Sequence, residues 1–432
     1  MEFHDILHGH IQFADEDELT KLLFDLINSP EINRLRNMRQ MNFDVPLIQE
    51  LGRSRRLPHS VGVAHLAYRL SKKDFLNIND SKILLAAAIM HDAAIPPYGH
   101  LVESELKATA SGFSHEKRVE ELVRGEKNSQ GNYIEIIPGK VPQVLEILNK
   151  HKIDINAVIS VICPSNGMKT PISADIDLDN VDNVHRMAAM LGWDNAKENF
   201  RKIVNSITLD GLREMYFSEN AYKYINQWLD FRSRIYTLII AHPECIPYNA
   251  LQADLVRLSV KNELITSQDW WLSEPEFEEK LRNSTQTENL AKQLISGCEY
   301  SLIDYVWIKN FHTKKKWHNA DIVSELTLDN PPREGYGYFV WNEKGLISRE
   351  IEIKGKLGER ETLGYNSTSC MIAYVKKTQG IAKFTKSELK TWRQKTVDKF
   401  TQMFETSNFR VDFPENYSGT FLASNNNEFD FN

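Results

Sequence analysis

Ten residues constrain this chain more than any others: Ser81-Lys-Ile-Leu-Leu-Ala-Ala-Ala-Ile-Met90. Alanine and leucine favour helix. A helix that is apolar on most of its faces has to be buried on most of them. Ten residues rise only about 15 Å, too little to cross a bilayer, and no run of about 18 apolar residues occurs elsewhere in the chain. The segment is therefore expected inside a helical domain. His91-Asp92 ends it, and Pro96-Pro97 then blocks continuation.

The flanking sequence supplies further helices. Ser60 to Leu70 carries a broad apolar stripe of Val61, Val63, Ala64, Leu66, Ala67 and Leu70. Glu116 to Arg124 is charged and amphipathic. Val141 to Lys150 tolerates Pro142 in its first turn. Ile155 to Cys163, Ala174 to Gly192, Asn226 to Ala241 and Tyr248 to Leu264 complete the set, with Gly125 to Gly139 as a loop. The first three-quarters thus reads as helices joined by polar loops. Beyond Asn330 the pattern changes. Gly335 to Trp341 alternates like a strand, Asn342 to Gly345 reads as a turn, and Leu346 to Ile353 and Cys370 to Val375 alternate again. Ser387 to Phe404 is a last helix, and the Asn-rich end from Ser424 is expected to fray. The expected fold is mostly α: a large helical domain over residues 1–328 and a smaller α+β lobe over 329–432.

Composition narrows the function. Lys and Arg total 52 against 59 Asp and Glu, a net charge of −7, so nucleic acid is not an expected partner. The N-terminus MEFHDILHGH has no basic segment followed by an apolar one, so no signal peptide is expected. Cys163, Cys245, Cys298 and Cys370 lie far apart with no CxxC pair, which points to a reducing cytoplasm, and without a long apolar run no membrane partner is expected.

The chemistry concentrates around His91-Asp92. Adjacent residues on a helix point about 100° apart, so this pair can share a metal only where the backbone presents both, as at a helix end. His59 lies 32 residues earlier and Asp179 lies 87 residues after Asp92. Two imidazoles and two carboxylates would make a mixed nitrogen and oxygen site for one divalent ion: manganese, iron, magnesium, cobalt or zinc. A His-Asp pair alone is weak evidence, because histidine more often fills ordinary hydrogen-bonding roles. His8 and His10 lack nearby carboxylate or cysteine partners and are not read as ligands. His65, six residues after His59 on a helix, falls off the metal face. Trp270-Trp271 is read as core.

The surroundings of the pair carry a resemblance. His91-Asp-Ala-Ala-Ile-Pro-Pro-Tyr-Gly-His100-Leu-Val-Glu103 resembles the signature of bacterial dGTP triphosphohydrolases, and Arg56-Leu-Pro-His59-Ser resembles their first metal-histidine motif. Asp5-Ile-Leu-His8-Gly9, Ser29-Pro30 to Gln40 and Ile176-Asp177-Leu-Asp179-Asn-Val-Asp182 resemble motifs of the HD-superfamily dNTP triphosphohydrolases that include the mammalian SAM-and-HD-domain enzyme. The likeness runs in order from about Glu2 to Lys309.

The resemblance implies a metal-dependent hydrolysis of a dNTP to deoxynucleoside and intact triphosphate. It implies His59, His91, Asp92 and Asp179 as metal ligands, and His100, Glu103 and His115 as catalytic residues. Gln40, Arg56 and Arg232 would bind substrate. It also implies a homo-oligomer, dimer to hexamer, regulated by a nucleotide near Asn28, Asn33 and Arg36, with His8-Gly9 a turn near an interface. Such an enzyme in a bacterium would set nucleotide pools or starve a phage of DNA precursors. The chain opens at the HD-domain motif, so no SAM domain is expected. Four departures weaken the substrate assignment more than the reaction class. Ile95 stands where these enzymes have His or Asn, and Asn180 replaces a basic residue. Asn183, Met187 and Ile240 replace the mammalian enzyme's sugar-reading Tyr, Asp and Tyr, and Asn28 replaces its guanine-reading Asp. Two rival readings follow: an HD phosphohydrolase acting on another nucleotide or a short oligonucleotide, or a non-catalytic nucleotide-sensing subunit.

Overall fold

The structure, a computed structural model, describes residues 1–42, 45–109, 112–125, 143–345, 347–355, 358–380 and 384–417. The chain forms two compact units that interleave along the sequence. One takes Met1–Phe231, Leu255–Ala291 and Ile351–Leu363; the other takes Arg232–Asp254, Lys292–Glu350 and Gly364–Asn432.

The first unit is built on helices α1 (Glu18–Ile27), α2 (Arg56–Lys73), α3 (Ile78–Met90), α4 (His100–Lys107), α5 (His115–Arg124), α6 (Val144–Lys150), α7 (Ile155–Ile162), α8 (Leu178–Met190) and α9 (Ala196–Ser206). The long helices α10 (Tyr222–Ala241) and α11 (Cys245–Lys261) contribute residues to both units, and α12 (Glu274–Arg282) returns to the first. The apolar segment behaves as its composition dictates. Every residue of α3 from Ser81 to Met90 is buried except Lys82, and α1, α2 and α7 pack around it. Asn77 caps its start by accepting from Asp80 N. Helix α8 starts at Leu178 rather than at Ala174, because the Asp177 side chain accepts from Asn180 N and sets the cap there.

The first three-quarters of the chain is less purely helical than its composition suggests. Strands β1 (Glu2–Asp5) and β2 (Gly9–Gln12) form one antiparallel hairpin, and β3 (Ile207–Asp210) and β4 (Glu214–Phe217) another. In the first hairpin Asp5 Oδ1 accepts from Leu7 N and His8 N, and Gly9 takes φ +77°, which suits glycine. A four-residue strand has too few alternations to stand out in sequence. A third hairpin pairs Glu350–Lys354 with Arg360–Gly364. Its first strand is shorter than the expected Leu346 to Ile353, whose first residue lies outside the described residues.

In the second unit β5 (Ser301–Lys309), β6 (Tyr336–Lys344), β7 (Thr368–Lys376) and β8 (Arg410–Asp412) form an antiparallel sheet in the order β8-β5-β7-β6. Helices α13 (Asn319–Asp329) and α14 (Lys386–Phe404) share a core with it that includes Val306, Val340, Ile372 and Phe400. Strand β6 runs through the expected turn at Asn342 to Gly345, because Asn342, Glu343 and Lys344 still pair with Cys370, Ser369 and Thr368. The fold is thus mostly α with a smaller α+β lobe. The Gly125 to Gly139 loop lies outside the described residues apart from Gly125, as does the end from Ser424. Among the described residues no helix is long and apolar enough to cross a membrane.

Candidate metal centre

Helix α3 ends at His91, still in helical conformation, and the chain turns at once, with Ala93 N donating to Met90 O and Ile95 N to Asp92 O. This helix end is what allows neighbouring residues to face one region. Behind the turn, the Arg34 guanidinium donates to the carbonyls of Ala93 (3.2 Å) and Ile95 (2.7 Å), and to those of Trp270 and Leu272. Ile95 is fully buried against Leu35 and Met38. The residue that departs from the family signature therefore serves the apolar core.

Three predicted ligands converge. Side-chain donor atoms of His59, His91 and Asp179 all lie within 4.8 Å of one another. His59 Nε2 is 2.9 Å from Asp179 Oδ1, and His91 Nε2 is 3.7 Å from the same oxygen. The His91 Nδ1–H donates to Ala88 O at 2.8 Å, which turns the Nε2 lone pair towards the group. That Nε2 is buried and makes no hydrogen bond among the described residues. A buried acceptor of this kind is costly unless something binds it. Asp92, the fourth expected ligand, has Oδ2 at 3.7 Å from His91 Nε2 and accepts from Arg56 Nη1 at 2.6 Å. The donor set of imidazole nitrogen and carboxylate oxygen fits a divalent cation.

The neighbouring aspartates take distinct roles. Asp177 is the α8 cap, bonded to Asn180 N and Ala174 N. Asp182 sits behind His59, with Oδ1 accepting from Nδ1 at 2.8 Å. Burial and the charge of Asp179 push Asp177 up to about 6. Burial opposes charge on Asp179, yet the hydrogen bond with His59 and the nearby charge of His91 hold its carboxyl well below the usual range. Burial likewise opposes charge on His91, but Asp92 and Asp179 outweigh it and raise the imidazole to about 10. A proton and a cation therefore compete for the same nitrogen.

A second histidine group follows the Pro96-Pro97 turn. Tyr98 and Gly99 both take positive φ, +57° and +50°. The positive φ of Gly99 favours glycine, and a Cβ there would come within 2.3 Å of Asn42 Oδ1 and 3.0 Å of Arg56 Nη2. Helix α4 then begins at His100. The buried Glu103 carboxylate accepts from His100 Nδ1 through Oε2 and from His115 Nδ1 through Oε1, both at 2.9 Å, with Lys107 Nζ at 3.0 Å. Burial would raise Glu103, but the two histidines hold it well below the usual carboxylate range. Burial would lower His115, but Glu103, Glu116 and Asp92 raise it. The His100 side chain is 65% exposed.

Other predicted residues scatter more. Arg56 and Gln40 are buried, and Arg56 Nε and Gln40 Oε1 make no hydrogen bond among the described residues. Gln40 Nε2 donates to Asn183 Oδ1 at 3.3 Å. Arg232 belongs to the second unit, its guanidinium over the Tyr236 ring. Asn28 is exposed at the end of α1, bonded to Phe24 O, and Arg36 is exposed on a short turn. Asn33 borders a groove with Arg34 and Trp270. Reading by sequence assigned no site role to Arg34 or Asp182, and to His8 only that of a turn residue near an interface. Asp182 had a usable signal: it lies three residues after Asp179, near enough on a helix to stand beside it.

Residues 56–187 match the HD domain family. The chain is 26% identical over 376 residues to an uncharacterized protein of Mycoplasma genitalium, covering 82% of each chain. It is 23% identical over 246 residues to an uncharacterized protein of Bacillus subtilis, covering 56% of this chain and 52% of that one. It is 31% identical over 108 residues to the deoxynucleoside triphosphate triphosphohydrolase SAMHD1 of Danio rerio, covering 23% of this chain and 16% of that one. The two histidines and the carboxylate of the ligand group lie within the matched span, and the protein therefore carries an HD domain over residues 56–187, of a family of metal-dependent phosphohydrolases.

Proposed function

We propose that this protein hydrolyses deoxynucleoside triphosphates to deoxynucleoside and inorganic triphosphate. One observation carries the reading: a three-residue ligand group, with a buried imidazole nitrogen that makes no hydrogen bond among the described residues, lies in the same unit as a histidine pair built on one buried carboxylate. The two groups flank one short turn, His91-Asp92 at the end of α3 and His100 at the start of α4. The similarity to the Danio rerio triphosphohydrolase supports the substrate class.

His59, His91 and Asp179, with Asp92 beside them, would hold the cation, which supplies positive charge against a phosphoryl oxygen when bound. The Arg56 guanidinium, fixed by Asp92, presents its remaining donors to phosphate. Water attacks the α-phosphorus, the bond to the 5′-oxygen breaks, and His100 gives that oxygen a proton. The His100 imidazole is exposed enough to reach a bound substrate, while Glu103 holds its Nδ1 and leaves Nε2 to face outward. His115, on the other oxygen of Glu103, would meet the phosphates. Gln40 Oε1 is available to a sugar hydroxyl. The active form would be a homo-oligomer, with a regulatory nucleotide near Asn28, Asn33 and Arg36.

One observation favours a variant of this reading. Gln40 is tied to Asn183, a position where the mammalian relative reads the sugar with Tyr, so a nucleotide with a different sugar is the second candidate. Incubation with each of the eight NTPs and dNTPs, in Mn²⁺, Mg²⁺ or Co²⁺, tests both. The expected products are intact triphosphate and a deoxynucleoside. Pyrophosphate with a monophosphate, or single phosphate, would refute the reaction, and turnover of ribonucleotides alone would select the variant.

A further inference from the structure

The N-terminal hairpin reaches the metal centre through one buried node. His8, at the turn between β1 and β2, places Nε2 at 2.6 Å from Asp182 Oδ2, while the other oxygen of Asp182 accepts from His59 Nδ1 at 2.8 Å. Arg186 donates to Asp182 through Nε (2.8 Å) and Nη2 (3.2 Å), and through Nη1 to Asp5 Oδ2 (2.6 Å). The same Asp5 shapes the His8 turn with its Oδ1. His8 Nδ1 lies 3.0 Å from His65 Nδ1, so its ring is held at both nitrogens. The side chains of His8, Asp182, His59 and Arg186 are each no more than 2% exposed.

The chemistry of this node is directional. An ionised carboxylate only accepts, so Asp182 requires a proton on His59 Nδ1, and that leaves the Nε2 lone pair for a cation. Asp182 can hold this geometry only while its second oxygen is held too. Arg186 and His8 do that from two sides. The packing leaves no slack: a Cβ on Gly62 of α2 would lie 2.4 Å from Asp182 Oδ2, 2.6 Å from Arg186 Nη2 and 2.8 Å from His8 Nε2.

We propose that His8 is a positioning residue for the metal centre: acting through Asp182, it fixes the tautomer and orientation of His59, so that metal affinity depends on the docked N-terminal hairpin. This rests on the metal reading given above.

Mn²⁺ titration of the full chain by calorimetry tests it, each variant being measured below the onset of its own unfolding by circular dichroism. His8→Phe keeps the ring volume but loses the bond to Asp182, and should weaken Mn²⁺ binding about 10–100-fold. His8→Gln keeps an N–H donor and should recover part of that loss. Gly62→Ala leaves every member of the node in the sequence yet should weaken binding in the same sense. His10→Ala, on the same hairpin but exposed, should bind as wild type does. Wild-type affinity in His8→Phe overturns the proposal alone, as does an equal loss in His10→Ala, which would make hairpin folding the cause. A wild-type protein that binds none of Mn²⁺, Fe²⁺, Mg²⁺, Co²⁺ and Zn²⁺ overturns the metal reading and this proposal with it.

Discussion

Two histidine clusters on neighbouring stretches of one chain are built in opposite ways. In the first, the histidines lie at the centre and the supports lie behind them: His59 is fully buried, with Asp179 on one ring nitrogen and Asp182 on the other. In the second, the carboxylate lies at the centre and the histidines at the ends: Glu103 is buried, while the His100 imidazole is 65% exposed. Burial with support on both sides suits groups that must hold fixed lone pairs on a cation. A buried anchor with an exposed tip suits a group that must carry a proton to a leaving oxygen. The same two residue types thus serve different purposes, according to which of them is dehydrated.

Substitutions should separate the two clusters, beginning with the one of largest effect. Asp179→Ala removes the only carboxylate within the three-residue group, and elemental analysis should find most of the metal lost, with turnover lost alongside it. Full metal retention would show that Asp92 and the histidines suffice and would break the assignment. His100→Ala should keep its metal and its nucleotide binding but lose about 10²–10⁴ in turnover. If it instead loses metal, the two clusters are one larger site.

Glu103→Gln should cost less turnover than His100→Ala and should also alter the pH dependence of stability. In the folded protein His115 is raised above its usual value of about 6.5, so from that pH up to its folded pKa the folded state holds more protons than the unfolded one. The contribution of His115 is complete below about pH 6.5 and is lost as pH rises through its folded pKa. Glu103 is depressed, so its contribution is present above its unfolded value of about 4.5 and is lost as pH falls towards the folded one. Thermal melts of metal-free protein should show both slopes in wild type and weaker ones in Glu103→Gln. Unchanged slopes would mean that Glu103 does not couple the histidines. The smallest effect belongs to Asp177→Ala, which removes a helix cap and should cost about 1 kcal/mol while leaving metal content intact. Loss of metal there would shift the ligand register from Asp179 to Asp177.

Much of the helical frame was legible in the chain because its signals are local. The composition of Ser81 to Met90 leaves a helix no exposed face to choose, and Pro96-Pro97 marks its end. The strands were harder. Glu2–Asp5, Gly9–Gln12, Ile207–Asp210 and Glu214–Phe217 are each four residues long, and Ser301–Lys309 finds its partner Thr368–Lys376 some 60 residues later. Asn342 to Lys344 carries turn-forming residues but stays in the strand, because a partner strand pairs with it.

The motif order around His59, His91 and Asp179 belongs to the sequence itself, since residue type and spacing already restrict which metal chemistry a helix end can present. The resemblance singled out Asp179 among three nearby aspartates, but only tertiary structure shows what each of the three does. Asp177, Asp179 and Asp182 lie within six residues of one another, yet one caps a helix, one meets both histidines and one supports His59 from behind. Only tertiary structure, too, brought His8 to Asp182 across 174 residues of sequence. The physical reason is common to both. A helix cap or an apolar stripe is satisfied within a few residues of itself. A buried charge must instead find partners wherever folding delivers them, and those distances are not written in any local pattern.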